Sequence, residues 1–511
     1  MTPLSLSGET LPLPHLTAIA DGAPVALGAN GVARLRAGEQ ALHEALTRGD
    51  GIYGTTSMVG AFKDNGVADE DRPKYALRLL RSHLLGTGAY LPVRVVRAAM
   101  AIRLNTLLTG HTGASLPLAA ALADLLNTGI TPAVPEYGSI GCADVGLMSH
   151  IGATLLGEGM AFAPEGGPAI PSAALLARFG LAPLVPGPKD VMSVLSSNAL
   201  GVAGVALATA DLRNRLPLLL HVFVLAAAGF GAFGIPWETA RLDGLRDEAR
   251  VARYLQGLTR PGDWSPRRNL QDPLSFRCMP QIAGALVSAL DRVEATLAHT
   301  VAHADDNPIL IHGRAMTSGA SLPLALALDA QALVIALCHY ARSTLSRILA
   351  SCREDLSGLP RNLTLDPGRQ VAFGAATKLA ADLTTAILRE STPASLYQIP
   401  VANGFEDEAS YLPSVARALG LQASLLSPLI ALEALAARQA IRLSAARPTD
   451  GPGALLAELD RHVPLLDDSH AVSEAVRRAE GVLARFATRL AAPLPPDLAF
   501  PPPSFQENAH A

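Results

Sequence analysis

The chain has 511 residues, of which 49% are hydrophobic and 17% are charged, and its formal net charge is −4. This apolar content excludes a mainly disordered protein, because it can bury enough surface to offset chain entropy. The nearly neutral balance gives no basic surface for nucleic acid. The four cysteines have neither the CxxC spacing of a zinc site nor a paired disulfide framework.

The N-terminal residues MTPLSLSGETLPLPHL have no basic region followed by an apolar one, so we expect no signal peptide and a cytoplasmic protein. Six later stretches rich in Ala and Leu have helical rather than alternating patterns. These predicted helices are Val93–Leu108, Ser115–Thr128, Val191–Leu212, Met279–Ala302, Leu322–Leu349 and Gln370–Arg389. Aromatic residues make up only 4% of the chain, which argues against extensive sheet. The predicted fold class is therefore mainly α.

The stretch Pro217–Pro236 is long and free of formal charge, as a membrane span would be. A proline at each end, three glycines and His221 favour instead a fully buried helix of a large soluble bundle, so we expect no membrane partner. Three regions are predicted. Residues 1–190 form an N-terminal active-site domain, 191–450 a central long-helix bundle, and 451–511 C-terminal helices with a proline-rich tail.

The first loop that could carry chemistry is Gly51–Ser57, where small residues surround Tyr53. Glycine neighbours allow a close turn that exposes the phenol to a cleft. A phenol with a lowered pKa can act as a general base toward a carbon-bound proton. The alternative is a tyrosine that anchors the turn.

The segment Tyr137–His150 crowds small residues just before a predicted helix. A compressed backbone at this point would suit either anion binding at the helix N-terminus or autocatalytic cyclisation. An ordinary glycine-rich turn is the alternative.

Two later segments combine charged residues with prolines. Gln271–Gln281 contains Arg277, a bidentate partner for a substrate carboxylate unless it forms a structural ion pair with Asp272. Pro393–Pro400 is soon followed by Glu406 and two further acids. These acids either cap the next helix or supply a carboxylate that binds a substrate imidazole or accepts a proton.

Together these segments resemble the histidine and aromatic amino-acid ammonia-lyases, over nearly the whole chain and in the family's order. The matching motifs are Tyr53–Ser57, Ser82–Gly88, Gln271–Gln281, Asp306–Pro308 and Pro393–Asp407. The resemblance implies that Tyr53 is the catalytic base, that Arg277 binds the substrate carboxylate and that Glu406 lies in the site. It also implies a mainly helical homotetramer, with the long central helix bundle of that superfamily and with active sites shared between subunits. His83 matches an active-site position of the family, although a hydrogen-bonded structural histidine is the alternative.

The chain departs from the family where the family forms its electrophilic methylidene-imidazolone ring from an Ala-Ser-Gly triad. Here the run is Gly138-Ser-Ile-Gly-Cys142-Ala143-Asp144, which is one residue shorter and lacks the Ser-Gly pair. An alternative alignment puts Gly141-Cys142-Ala143 in place of the triad, but alanine at the third position hinders ring closure. We therefore expect this degenerate triad to form no ring, and we expect no other cofactor or metal.

Further replacements fall on the substrate side of the family's site. Leu274 stands where the family has its second tyrosine, and Ser196-Ser197-Asn198 replaces its Asn-Gly-Thr, which makes Ser196 a candidate substrate-binding residue. Phe405 replaces a polar residue directly before Glu406. An aromatic face there could bind a quaternary ammonium, whereas ordinary packing is the alternative.

Lys378 occupies a position that is apolar in the family, in a helix that the resemblance places near the substrate side chain. Its ammonium could bind a thioimidazole sulfur or stabilise charge that develops there. Alternatively it belongs to a polar stripe in which Lys378 and Asp382 form an i,i+4 pair.

Loss of the electrophile beside a retained base and carboxylate anchor favours one reaction. In the family, the substrate amine attacks the ring and nitrogen becomes a better leaving group. A trimethylammonium group has no lone pair for that attack, and it leaves as a neutral amine without activation. The chain therefore resembles the family's ergothionase branch, which converts ergothioneine to thiourocanate and trimethylamine; hercynine is the second candidate substrate. The alternatives are a lyase or cyclase with another substrate and a non-catalytic binding or regulatory homologue.

Overall fold

The computed structural model of the chain describes residues 2–232, 234–260, 269–397 and 399–490. The predicted proline-rich tail after Pro493 lies outside these residues. Within them the helices are α1 (Leu13–Ala20), α2 (Ala29–Thr47), α3 (Arg72–Ser82), α4 (Val93–Leu107), α5 (Leu116–Thr128), α6 (Val145–Leu155), α7 (Ser172–Arg178), α8 (Asp190–Leu195), α9 (Ala199–Phe230), α10 (Ile235–Asp243), α11 (Arg246–Gly257), α12 (Leu274–Arg277), α13 (Met279–Thr300), α14 (Leu324–Ser351), α15 (Glu354–Ser357), α16 (Phe373–Arg389), α17 (Leu412–Leu443), α18 (Asp450–His462) and α19 (Val472–Leu490).

The strands of the described residues are short and pair in small groups. They are β1 (Leu4–Leu6), β2 (Val25–Leu27), β3 (Thr87–Tyr90), β4 (Thr131–Pro132), β5 (Pro135–Tyr137), β6 (Met160–Phe162), β7 (Ile170–Pro171), β8 (Ile309–Ile311) and β9 (Arg314–Met316). β1 pairs with β2 in parallel, whereas the pairs β3–β5, β4–β6, β6–β7 and β8–β9 are antiparallel. The mainly α fold class is therefore confirmed.

The chain forms two compact units that are discontinuous in sequence. Unit 1 contains the chain up to Ala210 together with Glu294–Ala330 and Pro393–Arg417. Of the described residues, unit 2 contains those within Asp211–Val293 and Gln331–Thr392 and those from Ala418 to Leu490. The three consecutive regions predicted from the sequence do not coincide with these units, because the units follow packing and not chain order.

In unit 1, helix α3 positions one wall of the site described below. It begins with Arg72 and Pro73, and a proline suits this position because the first backbone N–H groups of a helix have no partner within it. Its apolar face contains the buried Leu79 and Leu80, and the helix packs against α6 and α8. The opposite edge of α3 is left free for polar side chains.

The predicted helix Val191–Leu212 is wrong in one respect, because the chain breaks it between α8 and α9. At the break, an Asp305 carboxylate oxygen accepts hydrogen bonds from the Asn198 backbone N–H at 2.6 Å and from the Ser197 hydroxyl at 3.1 Å. Serine and asparagine readily leave a helix for such alternative partners. The result is a rigid turn inside an apolar stretch.

Three helical stretches have the length and hydropathy to cross a membrane by composition alone: Asp190–Phe230, Leu324–Ser351 and Leu412–Leu443. The most apolar window of the first is 94% buried inside the chain. Residues 216–232 are all buried, so the interpretation of Pro217–Pro236 as a buried helix is confirmed up to residue 232. It is wrong for residues 234–236, where α10 begins and Ile235 is exposed.

Candidate active site

The Tyr53 loop is a tight turn built around a single carbonyl group. The backbone N–H groups of Thr55, Thr56 and Ser57 all donate to the Ile52 carbonyl, at 3.0, 2.8 and 3.2 Å. The Tyr53 hydroxyl accepts a hydrogen bond from the Gly60 N–H at 2.8 Å. The phenol therefore does anchor the loop, and that bond also fixes the position of its oxygen.

Beside Tyr53 lies a cavity of about 670 Å³, which we call the Tyr53 cavity. Its lining includes three predicted site residues, Tyr53, His83 and Glu406, which come from three distant parts of the sequence within unit 1. A phenol, an imidazole and a carboxylate in one cavity can bind a polar ligand and move a proton.

The Tyr53 cavity makes its phenol a weaker acid, which contradicts the lowered pKa expected from the sequence. Burial raises the pKa of Tyr53 above its ordinary value, and negative charge on Glu406 and Cys142 raises it further. The hydrogen bond from Gly60 acts in the opposite direction.

Phe405 stacks on Tyr53, with ring centroids 6.5 Å apart and an interplanar angle of 27°. Phe405 is 42% exposed and is not among the residues that line the Tyr53 cavity. The Lys63 ammonium lies 5.3 Å from the centroid of the same ring. A cation therefore already contacts this aromatic face, which is the interaction expected for a quaternary ammonium.

His83 is held by one ring nitrogen and leaves the other without a partner. Its Nδ1 lies 2.8 Å from the Leu79 carbonyl oxygen. Because a carbonyl only accepts, Nδ1 carries the hydrogen and Nε2 of the neutral ring is the basic atom. Among the described residues Nε2 forms no hydrogen bond. The structural and the active-site interpretations of His83 thus apply to different atoms of one ring.

The acids that follow Pro393–Pro400 do not cap the next helix. Helix α17 begins at Leu412 and has no acidic residue in its first turn, whereas Glu406 lies in the preceding loop. The Glu406 backbone pairs with Val401, whose N–H donates to the Glu406 carbonyl at 3.0 Å. Its carboxylate has no hydrogen-bond or ion-pair partner in the part of the chain that the structure describes.

The degenerate triad forms a compressed loop held by other segments of unit 1. Gly141 and Ala143 both have left-handed backbones, with φ of 76° and 54°. The Ala143 N–H donates to the Ser321 carbonyl at 2.9 Å, and the Gly141 carbonyl accepts from the Ser410 hydroxyl at 2.6 Å. A side chain at Gly141 would approach the Ser410 hydroxyl to 2.5 Å, so glycine is required there.

Cys142 and Asp144, near the end of the Gly138–Asp144 run, differ in burial. Asp144 is fully buried and accepts hydrogen bonds from the Ser139 hydroxyl at 2.7 Å and the Gly201 N–H at 2.9 Å. Burial raises the pKa of Asp144 to about 6. Cys142 is half-buried, and burial together with the Glu406 charge raises the pKa of its thiol. Asp144 therefore holds the loop, whereas Cys142 does not line the cavity and is only near enough to Glu406 to be affected by its charge.

Ser196 is not among the residues that line the Tyr53 cavity. It is 3% exposed, and its hydroxyl accepts a hydrogen bond from the Asn307 N–H at 3.0 Å. Its position in the turn between α8 and α9 directs its hydroxyl to the backbone of a neighbouring segment.

Arg277 and Lys378 belong to unit 2 and do not line the Tyr53 cavity. Within the described residues, Arg277 forms no ion pair with Asp272, and its buried Nε atom has no hydrogen-bond partner. Lys378 is exposed. Over the same ranges it forms no ion pair with Asp382. Neither ion pair that the sequence left open for these two cations is therefore observed, but Lys378, Asp382, Thr385 and Arg389 are all exposed, as expected for the polar stripe.

The sequence analysis missed several cavity residues, among them Tyr75 and Arg78 on helix α3. The signal that could have identified them is spacing, because Tyr75, Arg78 and Ser82 follow one another at i, i+3 and i+7 just before His83. Elsewhere in the described ranges, no cluster of three or more His, Cys, Asp or Glu side chains is arranged to hold a metal ion.

Comparison with known proteins identifies the family of the chain. The family model described as "Aromatic amino acid lyase" matches residues 11–461. Histidine ammonia-lyase from Streptomyces griseus is 34% identical over 442 residues, which cover 83% of this chain and 84% of that enzyme. Histidine ammonia-lyase from Anaeromyxobacter dehalogenans is 31% identical over 510 residues, which cover 94% of this chain and 100% of that enzyme.

Solved structures confirm the predicted ammonia-lyase fold. Ergothionase from Treponema denticola, in complex with desmethyl-ergothioneine sulfonic acid, matches with a TM-score of 0.90 and 28% identity, over 96% of this chain and 100% of that one. Tyrosine aminomutase from Streptomyces globisporus matches with a TM-score of 0.89 and 25% identity, over 96% of this chain and 98% of that one.

Proposed function

The chain belongs to the aromatic amino acid lyase family, and from this premise we propose that it is a ring-independent lyase that eliminates trimethylamine from an α-trimethylammonium amino acid. Ergothioneine and hercynine are the candidate substrates. The observation that carries the proposal is a contrast. Tyr53, His83 and Glu406 line one cavity, whereas the triad position beside them holds Gly141-Cys142-Ala143.

The residues at the triad position do not fit the family's ring. Closure would require the Ala143 nitrogen to attack the Gly141 carbonyl carbon, but each of these groups already has another partner, Ser321 and Ser410. The third residue also carries a Cβ where the family has glycine, which hinders close approach. These features support a reaction that uses only the side chains of the chain.

The proposed reaction needs one proton transfer and one bond cleavage. The Tyr53 phenolate oxygen takes the proton from the substrate β-carbon, and the released electron pair forms the Cα–Cβ double bond. The C–N electrons leave with nitrogen as neutral trimethylamine, so the products are a conjugated acrylate, the free amine and protonated Tyr53. General-base catalysis of this kind contributes about 10²- to 10⁴-fold in rate.

The substrate cation fits the electrostatics of the Tyr53 cavity. Glu406 contributes an unpaired carboxylate to the cavity, and Phe405 lies outside the cavity lining and stacks on Tyr53, with Lys63 against the same ring. A trimethylammonium group near these residues gains cation–π and charge attraction. Its positive charge also offsets the effect of Glu406 on the Tyr53 pKa, so that ligand binding favours the basic form of Tyr53.

We further propose that the active protein is a homotetramer in which Arg277 and Lys378 reach the Tyr53 cavity from a neighbouring subunit. The unpaired guanidinium of Arg277 supports its role as the carboxylate anchor. The exposed ammonium of Lys378 is available to a substrate sulfur. Light scattering of the purified protein tests this arrangement, and a monomer would remove both roles.

Two sets of relatives point to different substrates. The name of the Treponema denticola protein and the ligand in its structure support a thioimidazole betaine. The curated relatives are histidine ammonia-lyases, which makes histidine the competing substrate. Histidine carries a primary amine, so its ammonia would need activation that the degenerate triad is not built to supply.

Turnover assays decide between these substrates. Purified protein is incubated with ergothioneine or hercynine, and the conjugated product and free trimethylamine are measured, with histidine, tyrosine and phenylalanine as primary-amine controls. We expect trimethylamine release and inert primary amines. Ammonia release from histidine would overturn the proposal. A protein that turns over none of the five would instead support another substrate or the non-catalytic alternative.

A further inference from the structure

Helix α3 presents an unassigned cation to the Tyr53 cavity. Tyr75, Arg78 and Ser82 all line the cavity and lie at i, i+3 and i+7, so they occupy one face of the helix. The buried Leu79 and Leu80 hold this helix in place. The polar face of α3 is therefore a fixed wall of the cavity.

Arg78 is unusual among the cations near this wall because it has no partner. In the residues that the structure describes, its guanidinium forms no ion pair and no hydrogen bond. Arg81, one turn further along α3, pairs with Glu158 at 2.5 Å, and Lys63 pairs with Asp64 at 3.1 Å. Arg78 is exposed, so its unpaired charge is available to a ligand in the cavity that it lines.

The Tyr53 cavity also holds an unpaired negative charge. Glu406 lines the same cavity as Arg78, yet the two form no ion pair over the described ranges. Opposite charges that line one cavity without meeting leave room between them for a ligand that carries both signs. The cavity is therefore complementary to a zwitterion.

A neighbouring hydroxyl supports the same conclusion. The Tyr75 hydroxyl is buried and forms no hydrogen bond, although the Val59 backbone lies near it. A buried donor without an acceptor is costly unless a ligand or water supplies one. Tyr75 thus provides a neutral hydrogen-bond donor and Arg78 a cationic one, on the same face of α3.

We propose that Arg78 binds an anionic group of the substrate in the Tyr53 cavity, with Tyr75 as a second donor to that group. The identity of the ligand rests on the proposed function, whereas the role of Arg78 rests on the geometry of the cavity. Two groups of a betaine have the required chemistry: the α-carboxylate and an anionic sulfur on the side-chain ring. A guanidinium binds either through charge-assisted hydrogen bonds.

Calorimetry of ligand binding tests the proposal with the full chain. A Tyr53→Phe background removes the proposed base, so that the ligand is bound but not turned over. Arg78→Gln removes the charge and keeps the length of the side chain, and Arg81→Gln is the matched control on the same helix. We expect Arg78→Gln to weaken ergothioneine binding roughly tenfold or more, as for loss of a charge-assisted bond. Arg81→Gln should bind within twofold of the parent.

Ligand variants identify which anion is bound. If Arg78 binds the carboxylate, its substitution weakens the binding of ergothioneine and of hercynine alike and has no effect on the binding of their carboxamides. If Arg78 binds the sulfur, its substitution weakens the binding of ergothioneine and of its carboxamide and leaves the binding of hercynine unchanged. Both results support the proposal. A folded Arg78→Gln protein that binds all four ligands like the parent overturns it.

Failure of the proposed function gives a different pattern. If the parent binds no betaine, the substrate class is wrong, and the same variants are then titrated with histidine and histidinamide. A loss of histidine affinity in Arg78→Gln alone would keep Arg78 as an anion-binding residue. Equal affinity of Arg78→Gln, Arg81→Gln and the parent for these two ligands, or no binding by any of them, would reject it.

Discussion

Unit 1 contains two charged regions that differ in how completely their groups are paired. The first, which we call the ion cluster, consists of Arg103, Lys189, Asp305 and Asp306. Arg103 donates to Asp305 at 3.1 Å and to Asp306 at 2.7 Å, and Lys189 donates to Asp306 at 3.2 Å. The second region is the Tyr53 cavity, where Glu406 and Arg78 have no partner among the described residues.

The difference separates structural charges from ligand-binding ones. In the ion cluster the side chains of Arg103, Lys189 and Asp306 are fully buried, and a buried charge persists only when it is paired and hydrogen-bonded. In the cavity, Glu406 is half-buried and Arg78 is exposed, so water replaces the missing partner until a ligand arrives. Incomplete pairing at a cavity is therefore the stronger indication of function.

The largest effect should follow from breaking the ion cluster. Asp306→Asn removes one carboxylate while Lys189 and Arg103 stay buried, and an unpaired buried charge costs about 3–5 kcal/mol. We expect a loss of this size in the free energy of unfolding, measured by urea denaturation. Asp21→Asn is the control, because it removes the partner of Arg94 in an exposed pair and should cost less than about 1 kcal/mol.

Equal stability of the Asp306 and Asp21 variants would contradict the distinction between the two regions. It would mean that the Asp306 carboxylate contributes no more to the free energy of unfolding than a surface charge does. Asp305 also holds the turn at Ser197 and Asn198. Because the Ser197 carbonyl accepts a hydrogen bond from the Asp144 N–H, the ion cluster also supports the loop of the degenerate triad.

In the cavity, the largest expected effect is on rate and not on stability. Tyr53→Phe removes the proposed base and should lower turnover of the betaine by about 10²- to 10⁴-fold. Stability should fall by only about 1 kcal/mol, since one hydrogen bond from Gly60 is lost. Tyr90→Phe is the control, because Tyr90 is 49% exposed and does not line the cavity.

The turnover of the Tyr53→Phe protein is measured by trimethylamine release under substrate saturation and at low substrate. Full turnover in this variant would reject the mechanism in both enzymatic alternatives. A defect of the same size in Tyr90→Phe would instead point to a general loss of folding.

Much of the helical fold was predictable from the sequence, because long apolar helices reveal themselves by their periodicity. The predicted Val93–Leu108 and Met279–Ala302 agree with α4 and α13 to within two residues at each end. The break at Ser196–Asn198 was not predictable, because its cause is Asp305, more than one hundred residues away. Local patterns do not contain such long-range hydrogen bonds.

The site was predictable in part, for a similar reason. Motif order identified Tyr53, His83 and Glu406, which the structure brings to one cavity. The raised pKa of Tyr53 was missed, because it depends on burial and on the approach of Glu406. Arg78 was missed because its helical spacing with Tyr75 and Ser82 marks a polar face of α3, and only the structure shows that this face lines the cavity.

The charge of Glu406 gives a smaller, directional prediction. A raised pKa means that the phenolate form of Tyr53 is scarce at neutral pH, so kcat/KM should rise with pH toward and beyond the ordinary tyrosine value of 10. Glu406 is one cause of that raised pKa. Glu406→Gln should therefore shift the Tyr53 titration to lower pH.

Ultraviolet titration of the ligand-free protein measures this shift, with the Tyr53→Phe spectrum subtracted to isolate one of the eight tyrosines. Glu408→Gln is the control, since Glu408 is exposed in the same loop and does not line the cavity. An unchanged Tyr53 titration in the Glu406 variant would place the two groups too far apart to share a substrate.

The smallest effect concerns the degenerate triad, which lies between the two regions. Ala143 has φ of 54°, where an L-residue is strained and glycine is not. Ala143→Gly should therefore raise the free energy of unfolding by up to about 1 kcal/mol. Gly141→Ala is the opposite test, because its new Cβ would meet the Ser410 hydroxyl at 2.5 Å and should lower stability.

The same Ala143→Gly protein also tests why the ring is absent. It restores glycine at the third triad position, so a conjugated ring would form if the alanine Cβ were the only obstacle. We expect no new ultraviolet absorbance, because the residue 143 N–H still donates to Ser321 and the Gly141 carbonyl still accepts from Ser410. Absorbance from a ring would show that one methyl group separates this chain from the ammonia-releasing chemistry of its relatives.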